Sequence, residues 1–122
     1  NLDGRVGSGT SAPEHILAVK GHILAEELIV EVVNGPDYVF EEDYALSSLQ
    51  EIAKYIEVHK HLPDIPSAKE METSGIGLSS MSMKLLQKIE ELTLHQIALS
   101  ERLEISEERT RQLKNELRQM KK

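Results

Sequence analysis

The chain has 122 residues, of which 39% are hydrophobic, and it contains four aromatic side chains and no cysteine. This composition excludes disulfides, thiolate zinc sites and cysteine nucleophiles, and it makes a large core difficult to build from one copy. The net charge of −7 is concentrated in residues 1–45, which hold nine acids and two bases. Nucleic-acid binding needs clustered Lys and Arg, and a membrane span needs about 18 apolar residues, so we predict neither nucleic-acid binding nor membrane insertion.

Residues 1–35 are rich in glycine and β-branched residues. Short apolar runs at 16–19, 23–25 and 28–33 predict strands, which are separated by turn residues such as Gly21. Strands of this length cannot bury a hydrophobic face by themselves. We therefore predict short β-layers that form between several intertwined copies.

Residues 36–77, which we call the linker module, contain two capping boxes, in which a serine is followed three residues later by a glutamate. The pairs Ser48 with Glu51 and Ser67 with Glu70 each predict the start of a short helix. Pro63 predicts that the first helix ends shortly before it. Aromatic and aliphatic side chains predict the core of this module, which consists of Tyr38, Phe40, Tyr44, Leu49, Ile52 and Ile56.

Residues 78–122 contain no proline or glycine and predict one long helix. Apolar side chains recur with the heptad spacing of a coiled coil, in which positions a and d face the partner helices. We call these a and d residues the seam. The predicted seam consists of Leu85, Ile89, Leu92, Gln96, Leu99, Leu103, Ser106, Thr110, Leu113, Leu117 and Met120. Its polar members are expected to fix the register of the copies at a cost in stability.

Charged residues beside the seam predict how the copies align. Arg102 and Glu107 lie five residues apart, the spacing of an ion pair between neighbouring parallel helices, and Glu116 and Lys121 repeat it. Arg109 and Lys114 have the same spacing and would repel. The apolar surface also widens at Leu86. This width favours a parallel homotrimer, although docking of the linker module on the same surface would explain it as well.

Few residues are candidates for chemistry. His59, His61 and Asp64 have the ligand types of a zinc or nickel site, but both histidines lie near a predicted helix end, which favours capping or surface packing. The acidic run at 41–43 lacks the alternating oxygens and the glycine of a calcium loop. No serine lies in a nucleophile elbow. We therefore predict no catalytic, cofactor-binding or metal site and no enzyme activity.

Several motifs of the linker module and the long helix occur together. They are Pro36-Asp37-Tyr38-Val39-Phe40, His61-Leu62-Pro63, Ile65-Pro66-Ser67-Ala68, Lys84-Leu85-Leu86 and Ile89-Glu90-Glu91-Leu92. With the glycine-rich segment ahead of them, they resemble a recurrent C-terminal module of tail-fibre-like surface and phage proteins of Gram-negative bacteria. The resemblance covers residues 4–100.

This resemblance implies a fibrous α+β homotrimer. Residues 1–35 would form β-layers at the end of a fibre shaft, residues 36–77 the linker module, and residues 78–122 a trimeric coiled coil. The implied function is structural: trimerisation and registration in a protein that carries attachment. The implied partners are upstream fibre or baseplate-like subunits and a cell-surface receptor, on a virion, a phage-tail-like particle or a cell surface.

A second reading of the resemblance is the self-processing chaperone tip of a phage-type fibre, which is a hydrolase. Such tips share the plan of β-layers followed by a coiled coil. The Ser-Asp cleavage motif of that group has no match at a corresponding position of this sequence. Protease activity is therefore not carried over to this chain.

Overall fold

The computed structural model describes residues 4–32 and 35–122 of the chain. Within these residues it has a mixed α+β fold, with one two-stranded parallel sheet and three α-helices, of which the last is long. The chain divides into two compact units, Asn1–Val30 and Glu31–Lys122. The sheet belongs to the first unit and the helices belong to the second.

The sheet of the first unit consists of strands β1 (Val6–Ser8) and β2 (Leu17–Val19). The strands pair in parallel, and each residue of β1 lies opposite the residue eleven positions later in β2. Gly9 follows β1 directly and has a left-handed φ of 73°. A Cβ at Gly9 would lie 2.6 Å from the carbonyl oxygen of Lys20. Glycine is therefore required where the chain leaves β1.

The predicted strand at 16–19 is confirmed as β2, but the other predicted strands are wrong for the single chain. None of the described residues at 22–32 belongs to a strand, and Val33 lies outside the described residues. Apolar side chains in this segment are exposed, including Leu24 and Ile29. The physical reason is that a strand needs a neighbouring strand for its backbone hydrogen bonds. Within one copy, this segment has no such neighbour.

The second unit begins with a 3₁₀ turn at Asp37–Phe40, which is followed by helices α1 (Leu49–His59) and α2 (Ala68–Ser74). Both predicted capping boxes are confirmed. The hydroxyls of Ser48 and Ser67 accept hydrogen bonds from the amides three residues later. The glutamate of each pair accepts in turn from the serine amide. Local sequence therefore determines where α1 and α2 begin.

Helix α3 (Leu78–Met120) is the predicted long helix and has 43 residues, a length of about 65 Å. Upstream of it, α1 ends close to the predicted position, because Lys60 adopts a left-handed φ of 62° and donates its amide to the Ile56 carbonyl. Helix α2 ends at Gly75, which also has a left-handed φ. The linker module is thus divided into short elements, whereas α3 is continuous.

Little apolar surface is buried within one copy. Among the described residues, Pro36 and Val39 are the buried apolar ones, and Val39 is 1% exposed. Val39 lies in the 3₁₀ turn, which packs against α3. Of the predicted linker-module core, Tyr44 and Ile52 are half-buried, and Tyr38, Phe40, Leu49 and Ile56 are exposed. Their common core within the linker module stays a prediction.

We expect Ser48→Ala to destabilise α1, because loss of an N-cap hydroxyl costs about 1 kcal/mol. Hydrogen bonds from the amide and the hydroxyl of Ser48 lower the pKa of Glu51. A carboxyl with a lowered pKa stabilises the fold above its unfolded-state pKa of about 4.3, and this contribution is lost as the pH falls through the folded-state value. Thermal unfolding followed by circular dichroism should therefore show a larger loss of Tm at about pH 7 than at about pH 3.

The neighbouring Ser47→Ala is the matched control, because Ser47 is exposed and precedes the N-cap position. Equal losses of Tm for the two variants would contradict a capping role for Ser48.

Candidate functional site

The N-terminal half of α3 holds the linker module through hydrogen bonds of two tyrosines. The Tyr38 hydroxyl donates to Oε1 of Gln87 at 3.0 Å. The Tyr44 hydroxyl donates to Oε1 of Glu91 at 2.5 Å, and the side-chain amide of Gln87 donates to the Tyr44 hydroxyl at 3.2 Å. The two tyrosine rings lie 5.8 Å apart between centroids. These contacts join residues that are 43 to 49 positions apart in the chain.

Lys88 forms an ionic bridge between the linker module and α3. Its Nζ lies 3.0 Å from Oδ2 of Asp64 and 2.9 Å from Oε2 of Glu91. Partial burial by itself would lower the pKa of Lys88, but hydrogen bonds to Glu91 and Asp64 raise it. Burial would conversely raise the pKa of Glu91, but hydrogen bonds from Tyr44, Lys88 and Gln87 lower it. Both partners are therefore held in their charged forms at neutral pH.

Burial raises the pKa of Tyr44, and its hydrogen bond to Glu91 raises it further. The phenol consequently keeps its proton at neutral pH and acts as the donor in this contact. The linker module thus contacts α3 through two polar pairs. The neutral phenol of Tyr44 donates to Glu91, and Asp64 forms an ion pair with Lys88.

Gln87, Lys88 and Glu91 define one side of α3, which we call the docking face. With Leu85 placed at position d, they occupy positions f, g and c, of which f lies opposite the seam. Leu86, at position e, remains exposed. The linker module therefore covers the side of α3 that faces away from the seam, and it does not dock on the widened apolar surface at Leu86.

The seam residues themselves are exposed in the single chain, and Leu92 is 62% exposed. The exposed apolar members are Leu85, Ile89, Leu92, Leu99, Leu103, Leu113, Leu117 and Met120. The polar members Gln96, Ser106 and Thr110 are exposed as well, and the Thr110 hydroxyl donates to the Ser106 carbonyl at 2.9 Å. Helix α3 thus presents an apolar stripe that the described part of its unit leaves largely exposed.

Every residue from 96 to 122 is exposed. The four residues predicted to form ion pairs between copies, Arg102, Glu107, Glu116 and Lys121, form none within the described chain. The ion pair of this half joins Arg111 to Glu108 at 2.8 Å, and it lies at the surface, where such pairs contribute little. The predicted pairing of the four residues between copies stays a prediction.

Two polar atoms of α3 are buried without a hydrogen-bond partner in the described chain, Oε2 of Glu90 and Nε2 of His95. Glu90 is 8% exposed, and burial of an unpaired polar group is unfavourable. His95 lines a cavity of about 220 Å³ together with Leu49, Ile52 and Leu92, between the linker module and α3. Nothing in the sequence singles out Glu90, because a glutamate at position b of a heptad is usually in solvent.

The histidines considered as metal ligands lie in an aromatic cluster. Tyr55 stacks on His59 with 4.0 Å between ring centroids, and His61 meets the edge of Tyr55 at 5.6 Å. Asp64 is engaged by Lys88. In the described part of the chain there is no group of three or more potential metal ligands. No helix described there is long and apolar enough to cross a membrane.

The seam could be predicted from the heptad spacing, whereas the docking face could not. Gln87 and Glu91 lie four residues apart and are hydrogen-bonded to each other at 3.1 Å, a pattern that is also typical of a solvated helix surface. Comparisons with protein-family models, curated proteins and solved structures found no match to this chain. The candidate functional site is therefore defined by geometry alone: a seam that is exposed, opposite a docking face that is occupied.

We expect Tyr44→Phe to weaken the attachment of the linker module to α3. The change removes a hydrogen bond to the charged Glu91 carboxylate, and such bonds are worth about 1.5–3 kcal/mol. The matched control is Tyr38→Phe, which removes a hydrogen bond from the exposed Tyr38 to the neutral side-chain amide of Gln87, worth about 0.5–1.5 kcal/mol. Thermal unfolding monitored by near-UV circular dichroism of the tyrosines should show the larger loss for Tyr44→Phe.

The pH dependence of the same contact provides a second measurement. Because the pKa of Glu91 is lowered on folding, its contribution is present above the unfolded-state pKa of about 4.3 and is lost as the pH falls through the folded-state value. The difference between wild type and Tyr44→Phe should therefore shrink on acidification. A loss for Tyr38→Phe as large as that for Tyr44→Phe would contradict the importance of the charged acceptor.

Proposed function

We propose that this chain is the C-terminal trimerisation and registration module of a fibre-like protein that carries attachment. In this proposal three parallel copies of α3 associate through the seam, and the linker modules lie on the outside of the coiled coil. The module has a structural role and no catalytic one. The resemblance of residues 4–100 to the C-terminal module of tail-fibre-like proteins supports the same assignment.

The observation that carries the proposal is the exposed apolar stripe of α3. Burying one Leu or Ile side chain is worth about 1.5–3 kcal/mol, and eight apolar seam residues are exposed along the helix. Contiguous exposed apolar surface of this kind is typical of an interaction site. A second copy of the same helix has the matching heptad spacing, so the simplest partner is the chain itself.

The position of the linker module is compatible with this assembly. Its contacts use Gln87, Lys88 and Glu91 on the docking face, so positions a, d and e remain available to neighbouring copies. The additional exposed apolar side chains at Leu86 and Ile97 widen the surface beyond a two-stranded seam. This width supports three copies rather than two.

Charge pattern supports a parallel arrangement. In parallel helices, Arg102 of one copy lies beside Glu107 of its neighbour, and Glu116 lies beside Lys121 in the same way. All four side chains are exposed and have no ion-pair partner in the described part of their own chain. Parallel alignment would also bring the N-terminal ends of the three α3 helices together, and the proposed partners beyond this module are upstream fibre or baseplate-like subunits.

We expect the chain to be a homotrimer in solution. Light scattering coupled to size exclusion should give a mass three times 13.7 kDa. A monomer at micromolar concentration would contradict the proposal. Intact mass spectrometry of the same sample after prolonged incubation should give the uncleaved chain, and release of a defined fragment would instead support a self-processing tip.

We expect Leu92→Ala to lower the Tm of the trimer far more than Thr110→Ala. Truncating a buried Leu costs about 2–5 kcal/mol, and a symmetric trimer loses this contribution in all three copies. Thr110 is the control, because it is a polar seam residue whose hydroxyl is already satisfied by the Ser106 carbonyl. Similar losses for the two variants, measured by circular dichroism at one protein concentration, would refute an apolar seam at Leu92.

A further inference from the structure

The sheet of the first unit has an edge without a partner strand. The Val6 amide donates to the Ile16 carbonyl at 2.7 Å, and the Lys20 amide donates to the Ser8 carbonyl at 2.8 Å. Ile16 and Lys20 flank β2, so the even-numbered residues of β2 and its flanks direct their backbone groups towards β1. Because these directions alternate along a strand, the backbone groups of Leu17 and Val19 point to the opposite edge. Among the described residues, no third strand lies there.

The register of the existing pair indicates which segment fits this edge. Residues of β1 and β2 that lie opposite each other are eleven positions apart. The same offset from β2 falls on residues 28–30, which are Leu, Ile and Val. Ile and Val are strongly favoured in strands. In the single chain this segment has no regular structure, and Ile29 is 84% exposed.

Charge complementarity supports the same register. An offset of eleven places Glu31 beside Lys20. Opposite charges that face each other on neighbouring strands attract, whereas like charges repel. The segment that follows β2 therefore carries an acid at the position that would lie opposite Lys20.

The connection after β2 differs from the connection after β1. The chain leaves β1 through Gly9, whose left-handed φ of 73° and missing Cβ allow the close approach to the Lys20 carbonyl. Lys20 occupies the equivalent place after β2 and does not have a positive φ. A lysine at that place disfavours the same turn, and in the described chain residues 28–30 do not pair with their own β2. A strand from another copy requires no such turn.

We propose that residues 28–30 of one copy pair in parallel with the unpaired edge of β2 in a neighbouring copy, with Ile29 opposite Ala18. This inference rests on the proposed homotrimer and identifies the segment and the register through which its N-terminal units associate. Each copy supplies both an edge and a strand, so the contact is head-to-tail and closes into a ring of three. Each two-stranded sheet, which is marginal alone, thereby becomes three-stranded.

Cysteine cross-linking tests the pairing directly, because the chain contains no cysteine of its own. Residues opposite each other on neighbouring strands lie about 4.8 Å apart, within the range of a disulfide. We expect the double variant Ala18→Cys/Ile29→Cys to form covalent dimers and trimers on oxidation, visible by denaturing electrophoresis without reductant. A disulfide confined to single chains would overturn the inference, because it would place residues 28–30 on the β2 of their own copy.

The control variant is Ala18→Cys/Val32→Cys, in which the second cysteine is three residues out of register. In the proposed register the Cα atoms at positions 18 and 32 would lie about 10 Å apart, which exceeds the limit of about 7 Å for a disulfide. Cross-linking as efficient as in the first variant would overturn the register. The mass of the unoxidised protein separates the two proposals: a trimer without cross-links overturns this inference alone, and a monomer overturns the proposed function on which it rests.

A charge reversal provides a test that does not depend on disulfide formation. We expect Lys20→Glu to lower the Tm of the trimer, because it places a second carboxylate beside Glu31 of the neighbouring copy, where like charges repel. The double change Lys20→Glu/Glu31→Lys should restore the lost Tm, because it returns opposite charges to the two positions. Failure of the second change to restore any of the lost Tm would contradict the pairing of these positions.

Discussion

Removal of apolar surface from water offsets the conformational entropy that folding costs, about 1–2 kcal/mol for each residue of backbone. In this chain that removal is centred on Pro36 and Val39, whereas the seam of α3 and the segment after β2 keep their apolar side chains in solvent. Most helical stability in proteins comes from tertiary packing of an apolar face rather than from intrinsic propensity. One copy therefore contains the local signals for its helices but lacks most of the burial that would stabilise them.

The position of the docking face prevents the linker module and other copies from competing for the same apolar surface of α3. A linker module attached through apolar contacts would have its strongest binding surface on the seam and would block association with other copies. Attachment through Tyr44, Glu91 and Lys88 instead uses directional, charge-assisted bonds, which fix one position on the helix. Polar contacts of the docking face thus add to the apolar packing of Val39 in the single chain, and most of the apolar side chains of the seam remain exposed.

Features that depend on residues close together in the chain could be predicted from the sequence, whereas contacts between residues far apart in the chain could not. The capping boxes at Ser48 and Ser67 were predictable because each joins residues three positions apart, and the long helix because its composition and spacing are uniform. The contact of Tyr44 with Glu91 joins residues 47 positions apart, and neither residue type indicates such a partner. Strand β1 was missed because its three residues include a glycine and a serine. The prediction of strands after β2 was wrong for the single chain. The alternation of apolar residues indicates that a segment is suited to a strand, but it does not indicate whether a neighbouring strand is present.

The exposure of α3 from residue 96 onwards also bears on how a single copy resists proteolysis. The hydrogen bonds and ion pairs of that half lie within the helix itself, so it can open locally without disturbing the docking face. Proteases cleave such segments in proportion to the population of the open form. The exposed half of α3 is rich in Lys and Arg, so in a single copy it is where we expect proteolysis to begin, and in the proposed trimer the same residues would be protected.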